Sequence, residues 1–465
     1  MFIGREKELS ALNNLYLSEK FEFAVIYGRR RVGKTELIKQ FINNKDAIYF
    51  MGVENNEKQN LENLTKSIFE FTENIADNVS FSNFQSAFEY VFKVSLQRRI
   101  ILAIDEYPYV ARACPSLPST LQLLIDKYKD TSKLVLILCG SSMSYMVDNV
   151  LAYKSPLYGR RTAQIKLLPF NFDEVRRYLY GISPEEQALI YGAVGGTPQY
   201  LMQFDKKISF EDNIKKTYLN PISFLYEEPT NLLKQEVREP ATYNAIISAI
   251  ANGASRLSEI SAKIGENTNV CAAYIKNLIS LGIIEKENPY GENNSRKTIY
   301  FISDNMFRFW YRFVAENISA ISKGATDFVY DKIKTFFMNY MGKVFEDISA
   351  QYLWRLLLER KCPVKFADLG RWWGNDKVMK CQAEIDIMGV EDKNTALFAE
   401  CKWTKDKVDA TTLETLHHRS KLFAYTNTHL YLFSKSGFTK ACEEKALAMG
   451  NVNLVEYKDM LNDNG

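Results

Sequence analysis

One segment of the sequence has the residue types and the spacing that bind nucleotide phosphates. It matches the pattern G-x-x-x-x-G-K-[ST] and reads Gly28-Arg29-Arg30-Arg31-Val32-Gly33-Lys34-Thr35. It directly follows the apolar run Phe23–Tyr27 and directly precedes an amphipathic run. In that context, backbone N–H groups at a helix N-terminus cradle phosphates, Lys34 reaches the β and γ oxygens, and the Thr35 hydroxyl holds Mg²⁺. We therefore expect residues 28–35 to bind ATP, with the three arginines meeting either phosphate or solvent.

Two carboxylates and a serine extend this predicted phosphate site. Asp105 and Glu106 follow the apolar run Ile100–Ile104, about 70 residues after the phosphate motif. Asp105 is placed to hold the metal through water, and Glu106 to polarise the water that attacks the γ-phosphate. Ser141 follows the next strand candidate, Leu134–Leu138, and could hydrogen-bond the γ-phosphate or the attacking water. The alternative for Ser141 is an ordinary turn after a strand.

A second set of residues, near the C-terminus, could hydrolyse phosphodiesters. Asp386 lies in one apolar run, and Glu400 and Lys402 lie in the next, on the same strand face by alternation. Two carboxylates chelating Mg²⁺ beside a lysine suit this chemistry, and Glu346 on a preceding helix could complete the metal shell. A pattern this loose occurs about once by chance in a chain of this size. A purely structural network of carboxylates paired with Lys402 would give the same sequence.

The elements that must position the first site read as βα units. In the first 165 or so residues, short apolar runs alternate with helical patterns, which predicts an α/β fold with a parallel sheet. Residues 172–226 are helical in pattern. Residues 240–302 show three helical patterns followed by two strands around a turn at 288–291, the order of a winged helix-turn-helix. The predicted domains are a P-loop ATPase domain at 1–168, a helical lid at 169–235, a winged helix at 236–304, a linker at 305–331 and a nuclease-like α/β domain at 332–465.

The predicted winged helix could bind DNA or dock another domain. Polar residues suited to phosphate and base contacts lie on its third helix and around its wing, namely Asn267, Thr268, Asn269, Tyr274, Lys276, Asn277, Lys286, Arg296 and Lys297. They do not form a dense basic patch. In the last domain, Trp372 and Trp373 beside Arg371 could stack a nucleotide, although an aromatic plug over the domain core is favoured.

Composition narrows the class of protein. The 465 residues carry a net charge of +3 and include 46% hydrophobic and 25% charged residues, which is typical of a multidomain globular protein. No apolar run approaches the roughly 20 residues of a membrane span. The opening residues show no secretory signal, so we expect a cytoplasmic protein. Seven scattered cysteines and only three histidines predict reduced thiols and leave little material for a zinc site.

Several motifs together resemble the AAA-like P-loop ATPases common in archaea and some bacteria. They are the phosphate motif, the Asp105-Glu106 pair, Phe2-Ile3-Gly4-Arg5-Glu6-Lys7-Glu8-Leu9, Gly140-Ser141-Ser142, Leu157-Tyr158-Gly159-Arg160 and Gly195-Gly196-Thr197-Pro198. The resemblance implies that the opening segment lies near the adenine. It also implies that Arg160, with Arg161 as a second candidate, neutralises γ-phosphate charge in cis or from a neighbouring subunit of a homo-oligomer. The alternative for Arg160 is an ordinary ion pair with an acid on the surface.

The C-terminal region resembles the PD-(D/E)xK nuclease superfamily, with Ile385 in place of the motif's proline, a departure that many members share. The whole chain looks like archaeal-type ATPases that carry such a domain. The sequence thus predicts an ATP-binding and ATP-hydrolysing protein, either an ATP-controlled DNA-binding protein or a Mg²⁺-dependent nuclease that uses Asp386, Glu400 and Lys402. The alternative is an ATP-driven signalling switch whose C-terminal domain is a non-catalytic partner-binding module.

Overall fold

The computed structural model describes residues 2–72, 80–292 and 296–461. They form two compact units. The first comprises the described residues up to Phe170 together with Thr197–Gln199. The second comprises Asn171–Gly196 and the described residues from Tyr200 onward.

A five-stranded sheet organises the first unit. Its strands are β1 Glu22–Tyr27, β2 Ala47–Met51, β3 Ile100–Asp105, β4 Leu134–Gly140 and β5 Ala163–Lys166. The order is β2-β3-β4-β1-β5, and every neighbouring pair is parallel. Strands β3 and β4 are buried along their whole length, as expected of central parallel strands covered on both faces. The predicted α/β parallel-sheet fold is thus confirmed. Strand β5 was missed because this short edge strand alternates half-buried with exposed residues.

Helices connect these strands. They are α1 Glu6–Leu17, α2 Lys34–Ile42, α3 Glu57–Thr72, α4 Phe84–Ser95, α5 Tyr107–Ala113, α6 Leu117–Tyr128 and α7 Met143–Tyr145, which continues as a π-helix at Met146–Leu151. One apolar core combines Leu12 of α1, Leu37 and Phe41 of α2, and strand residues such as Ala24 and Ile137. This core fixes α2 against the sheet and therefore fixes the loop that precedes it.

Helices dominate the next part of the chain. They are α8 Phe172–Tyr178, α9 Pro184–Val194, α10 Pro198–Leu201, α11 Phe210–Thr217, α12 Phe224–Glu236, α13 Pro240–Ala251, α14 Leu257–Ile264 and α15 Thr268–Ser280. Strands β6 Ile284–Glu287 and β7 Ile299–Ile302 then pair antiparallel as a hairpin. The three helices followed by a hairpin match the order predicted from the sequence.

The segment predicted to be a linker is mostly helical. It contains α16 Asn305–Phe309, a π-helix at Trp310–Val314, a 3₁₀ turn at Ala315–Asn317 and α17 Ile318–Ser322. Its aromatic side chains between residues 307 and 313 are buried; Phe309, for example, is fully shielded from solvent. This segment forms part of a core because its residues are too apolar to lie in water.

The C-terminal part has a mixed five-stranded sheet. Its elements are α18 Thr326–Leu358, β8 Gly370–Asp376, β9 Cys381–Val390, β10 Thr395–Lys402, α19 Ala410–Ser420, β11 Asn427–Ser434, α20 Lys440–Met449, β12 Val452–Glu456 and a 3₁₀ turn at Asp459–Leu461. The order is β12-β11-β10-β9-β8; β8 to β10 pair antiparallel and β10 to β12 pair parallel. Helix α18 begins at Thr326, before the predicted domain boundary at residue 332.

The structure also describes the state of the cysteines and the length of the apolar helices. All seven cysteines lie in the described ranges and are free thiols, five of them buried. Among the helices formed by the described residues, none is long and apolar enough to cross a bilayer.

Candidate functional site

The phosphate motif forms the turn between β1 and α2, and its two glycines explain the geometry. A Cβ on Gly28 would lie 2.3 Å from the Leu167 carbonyl oxygen, so only glycine fits there. Gly33 has a φ of 93°, in the left-handed region that favours glycine, and α2 begins at the next residue. The buried Lys34 donates from Nζ to the carbonyl oxygens of Gly28 at 2.8 Å and Arg29 at 2.9 Å. The loop and its lysine are thus organised by backbone geometry.

Asp105 receives two hydroxyl groups at the end of β3. Its Oδ2 accepts from Thr35 Oγ1 at 2.6 Å and from Tyr49 OH at 2.9 Å, and the carboxylate is fully buried. Burial, together with Asp105, raises the pKa of Tyr49. The predicted partners Thr35 and Asp105 are therefore in contact. Tyr49 was not predicted; the available signal was its position on β2, two residues before Met51, which pairs with Asp105.

Glu106 is held by the serine that the sequence singled out. Ser141 donates to Glu106 Oε2 from Oγ at 2.9 Å and from its backbone N at 3.4 Å. Glu106 itself has a φ of 50°, and its N–H donates to Asp105 Oδ1 at 2.9 Å. Because β3 and β4 are parallel neighbours, their carboxyl ends meet at one sheet edge and bring these residues together.

Arginines of the first unit have defined partners. Arg29 is 6% exposed and donates to Thr197 Oγ1 at 3.4 Å, so it does not point into bulk solvent. Arg30 donates to Tyr109 OH at 3.1 Å. Arg31 precedes the buried Val32, and its φ of 73° places it in the left-handed region of backbone conformation.

Arg5 belongs to the opening motif, and its side chain contacts the phosphate loop. Its Nη2 donates to the carbonyl oxygens of Val32 at 3.0 Å and Leu168 at 2.7 Å. Its guanidinium also lies 4.7 Å from the centre of the Phe170 ring.

Arg160 is paired with an acid of its own unit. Its Nε and Nη2 donate to the two carboxylate oxygens of Asp126, at 2.9 and 2.6 Å. This bidentate pair raises the pKa of Arg160 and lowers that of Asp126. Arg161 lies 5.5 Å from the centre of the Tyr158 ring. Any role of Arg160 at a phosphate requires that it leave Asp126.

The C-terminal candidates lie close together but in two subsets. Asp386 on β9 and Glu346 on α18 line one cavity of about 260 Å³. Glu400 on β10 accepts from Lys402 Nζ at 2.6 Å and from Arg419 Nη1 at 3.2 Å. Asp386 Oδ2 accepts from the Cys401 backbone N at 2.8 Å.

Electrostatics tie the two subsets together. Burial, followed by the negative charges of Glu400 and Glu346, raises the pKa of Asp386 to about 8. Burial likewise raises the pKa of Glu346, although Lys343 at 2.8 Å opposes the shift. Burial would lower the pKa of Lys402, but Glu400 and Asp386 together more than offset this effect, and the pKa is raised.

These carboxylates have the hard oxygen donors that Mg²⁺ prefers. Nevertheless, within the described ranges no three His, Cys, Asp or Glu side chains are arranged to hold a metal ion. The physical reason is that Lys402 and Arg419 hold Glu400, and Lys343 holds Glu346. A complete metal shell therefore requires Glu400 to turn from these cations toward Asp386.

The β6–β7 hairpin forms one wall of the cavity that contains Asp386. Glu285 and Glu287 of the hairpin line the cavity, and Glu287 pairs with Arg371 of β8 at 2.7 Å. The turn of the hairpin also docks on the sheet, since Tyr290 donates its backbone N–H to the Arg371 carbonyl at 2.9 Å. Its hydroxyl accepts from Val390 N at 3.2 Å and donates to the Asp368 carbonyl at 3.3 Å.

Several residues predicted to contact DNA are engaged within the three-helix unit instead. Asn267 caps α15 by accepting from Asn269 N at 2.9 Å. Asn277 donates to Tyr243 OH at 2.8 Å, and the Tyr274 hydroxyl donates to Glu239. These contacts are internal to the unit, and the turn of the hairpin contacts the C-terminal sheet.

The two tryptophans of β8 have different surroundings. Trp372 packs edge-on against Phe423, with ring centres 5.0 Å apart, at the border of the apolar core. Trp373 lines an open groove beside Arg371. The aromatic plug predicted from the sequence therefore describes Trp372 alone.

Comparison with known proteins identifies two regions. Residues 2–204 match the family described as ATPase domains predominantly from Archaea. Residues 310–413 match a family described as archaeal and bacterial proteins of unknown function. The predicted resemblance to archaeal P-loop ATPases is confirmed for the first of these regions.

Individual relatives extend this assignment. The uncharacterized protein MJECL04 of Methanocaldococcus jannaschii is 35% identical over 435 residues, covering 93% of this chain and 94% of the relative. The uncharacterized ATP-binding protein MJ0423 of the same organism is 49% identical over 45 residues, 10% of this chain and 76% of that protein. The Walker-type ATPase PABY2304 of Pyrococcus abyssi shares the fold, with a TM-score of 0.51 and 20% identity, over 67% of this chain and 96% of that one. The chain therefore belongs to the family of MJECL04 and is an ATPase, with a predominantly archaeal type of ATPase domain at residues 2–204.

Proposed function

We propose that this ATPase controls a Mg²⁺-dependent nuclease site in its C-terminal domain. The observation that supports the proposal best is the raised pKa of Asp386, which results from burial beside Glu400 and Glu346. Carboxylates that repel one another in a buried site are the electrostatic environment that a divalent cation stabilises. The helix, the mixed sheet and these residues together support a PD-(D/E)xK-like domain at 332–465, preceded by a winged helix at 236–304.

At the nucleotide site, residues 28–35 bind the phosphates of ATP and Lys34 contacts the β and γ oxygens. Thr35 and Asp105 hold Mg²⁺, which stabilises the charge on the phosphates when it is bound. Glu106 polarises the attacking water, and its hydrogen bond to Ser141 sets the direction of the carboxylate. Arg160, once released from Asp126, stabilises transition-state charge in cis or in a homo-oligomer.

At the C-terminal site, Asp386 and Glu400 would hold a catalytic Mg²⁺, and Glu346 would supply a further ligand. When bound, this ion stabilises the charge that develops on the phosphodiester. Lys402, which pairs with Glu400 at 2.6 Å, would position the attacking water.

Control by ATP follows from the hairpin that forms one wall of the Asp386 cavity. The Tyr290 contacts and the Glu287–Arg371 pair hold the hairpin on β8, and movement of the hairpin would open the cavity further to a substrate. The P-loop residue Arg29 contacts Thr197, and the chain on either side of Thr197–Gln199 belongs to the second unit. This short segment is the route by which the nucleotide state reaches the helical lid at 169–235.

Cleavage of single- and double-stranded DNA by the full chain, with Mg²⁺ or Mn²⁺ and with or without ATP, tests the proposal. Asp386→Asn should abolish cleavage and preserve ATP hydrolysis, whereas Asp406→Asn, an exposed acid of the same domain, should change neither. Lys34→Ala should abolish ATP hydrolysis and the effect of ATP on cleavage, with Lys39→Ala, exposed on the same helix, as its control. Cleavage that survives Asp386→Asn would refute the nuclease assignment.

A second function is favoured by a specific observation. Glu400 is already neutralised by Lys402 and Arg419, which is how a non-catalytic ion-pair network would look. In that case the chain is an ATP-driven switch whose C-terminal domain binds a partner. Absence of cleavage under every condition, with ATP hydrolysis intact, would support the switch.

A further inference from the structure

An open groove of about 600 Å³ lies between the three-helix unit and the C-terminal sheet, both in the second unit. One wall is the start of α14, with Arg256 and Glu259. The other wall is one face of the β8–β9 ribbon, with Trp373 and Glu384, and Arg419 of α19 lies beside it. In the ribbon, Trp373 pairs with Glu384 and Asn375 with Gln382, so alternate residues of both strands face the groove.

The groove is lined by three cationic and two acidic side chains. Three guanidinium groups line it, those of Arg256, Arg371 and Arg419. Of the two acids, Glu259 accepts backbone N–H groups from residues 255 and 256, at 2.9 and 3.1 Å, which lowers its pKa. Glu384 pairs with Arg371 at 2.9 Å. The half-buried Arg419 pairs with Glu400 at 3.2 Å. The exposed Arg256 is placed to contact a phosphate.

Trp373 gives the groove an apolar, planar surface. Alternation along β8 directs Trp372 to the core and Trp373 to the groove, where Arg371 lies 5.2 Å from the indole centre. An indole in this position stacks on a base, and each stacked base contributes substantially to binding. In a duplex the bases already stack on one another, so only a single strand can present them to the groove wall.

The ribbon continues beyond the groove into a basic tip. Lys377 and Lys380 are exposed there, on either side of the exposed Val378 and Met379. The tip is anchored at its base because Asp376 accepts backbone N–H groups from residues 378 and 379 and lies 2.7 Å from His418 Nε2. A phosphate backbone that leaves the groove along the ribbon therefore meets two more positive charges.

We infer that this groove binds single-stranded nucleic acid, with Trp373 stacking on a base and Arg256 contacting the backbone. Two groove residues connect it to the carboxylates: Arg419 donates to Glu400 at 3.2 Å, and Arg371 lines both the groove and the cavity that contains Asp386. Binding in the groove does not depend on the proposed nuclease activity. Cleavage of the bound strand would rest on that proposed function.

Fluorescence anisotropy of a labelled oligothymidylate, with the full chain in EDTA, tests the inference. Trp373→Ala should raise the Kd about 5- to 150-fold, and Trp373→Phe should raise it less because a ring remains to stack. Trp354→Ala is the matched control, since Trp354 is 37% exposed and packs on Phe366 outside the groove. Arg256→Gln should lower the slope of log Kd against log salt by about 0.7, the value for one single-strand phosphate contact. Unchanged ATP hydrolysis and unfolding temperature establish that the variants fold.

Three results would overturn the inference: no binding of oligothymidylate, equal weakening by the Trp354 and Trp373 variants, or a duplex of the same length binding as tightly as the single strand. An oligouridylate arm distinguishes DNA from RNA as the source of the strand. Because EDTA prevents metal-dependent cleavage, Trp373-dependent binding without cleavage in Mg²⁺ would retain the groove and reject the nuclease. Cleavage in Mg²⁺, together with binding that Trp373→Ala does not weaken, would retain the nuclease and reject the groove.

Discussion

The β6–β7 hairpin can be locked by a disulfide whose position the structure specifies. A Cβ added to Gly370 would lie 4.0 Å from the Cβ of Tyr290, within the roughly 3.5 to 4.5 Å of a disulfide. The nearest atom that this new Cβ would otherwise meet, at 3.0 Å, belongs to the ring of Tyr290, which the second substitution removes. The double variant Tyr290→Cys/Gly370→Cys should therefore cross-link the hairpin to β8 without distorting either.

The lock should act differently when it is oxidised and when it is reduced. Oxidised, it closes a loop whose entropy alone corresponds to about 4 to 5 kcal/mol, and it prevents the hairpin from leaving Asp386. Reduced, the variant has lost two hydroxyl hydrogen bonds and part of an aromatic contact, together about 2 to 3 kcal/mol. The open form should then be roughly 30- to 150-fold more populated than in the wild type.

The assay is DNA cleavage in Mg²⁺ beside ATP hydrolysis, before and after reduction. We expect the oxidised variant to hydrolyse ATP and to cleave more slowly than the wild type, and the reduced variant to cleave faster than the wild type. The single variants Tyr290→Cys and Gly370→Cys, and the wild type with its exposed Cys381, are treated with the same oxidant as controls. If the oxidised variant, with the cross-link verified by mass, cleaves at the wild-type rate, the hairpin does not control the site.

Three further predictions concern single residues. Glu106→Gln should lower kcat for ATP hydrolysis about 10²- to 10⁴-fold with nucleotide affinity retained, and a kcat within threefold of the wild type would exclude Glu106 as the group that activates water. In EDTA, the free energy of unfolding should fall as the pH rises from about 4 toward 8, because unfolded Asp386 releases its proton near its ordinary pKa whereas folded Asp386 holds it up to about 8. Asp386→Asn should flatten this pH dependence and raise Tm, and an unchanged profile would contradict the raised pKa. Gly28→Ala should destabilise the first unit, because its Cβ would lie 2.3 Å from the Leu167 carbonyl oxygen, whereas Gly342→Ala, with open space inside α18, should stabilise by about 0.5 to 1 kcal/mol in chemical denaturation.

Local pattern was sufficient for the nucleotide site. Glycine, lysine and threonine at fixed spacing, between an apolar run and an amphipathic run, predicted a loop whose conformation depends on Gly28 and Gly33. The contact of Thr35 with Asp105, and that of Glu106 with Ser141, follow from the rule that parallel strands end at one edge of the sheet. Tyr49 was not predicted because its contact with Asp105 requires that β2 lie beside β3.

The C-terminal site was only partly accessible to the same reasoning. Alternation correctly placed Glu400 and Lys402 on one face, where they form an ion pair. Arg419 comes from a helix whose pattern indicates only an apolar face, so its contact with Glu400 could not be predicted. The docking of Tyr290 on β8 is likewise a contact between residues far apart in sequence, and neither segment shows a pattern that signals it.

The sequence by itself determined the βα order, the phosphate loop and the identity of the acids that lie at strand ends, because these depend on neighbours within a few residues. Only the tertiary structure decided that Arg160 pairs with Asp126, that the hairpin forms one wall of the Asp386 cavity, and that Trp373 faces a groove while Trp372 faces the core. These contacts depend on which charged and apolar surfaces meet after the chain has packed. The chain contains many acids and many apolar side chains that could serve as partners for the same residue. Local spacing therefore cannot distinguish among them, whereas burial and charge pairing in the folded protein do.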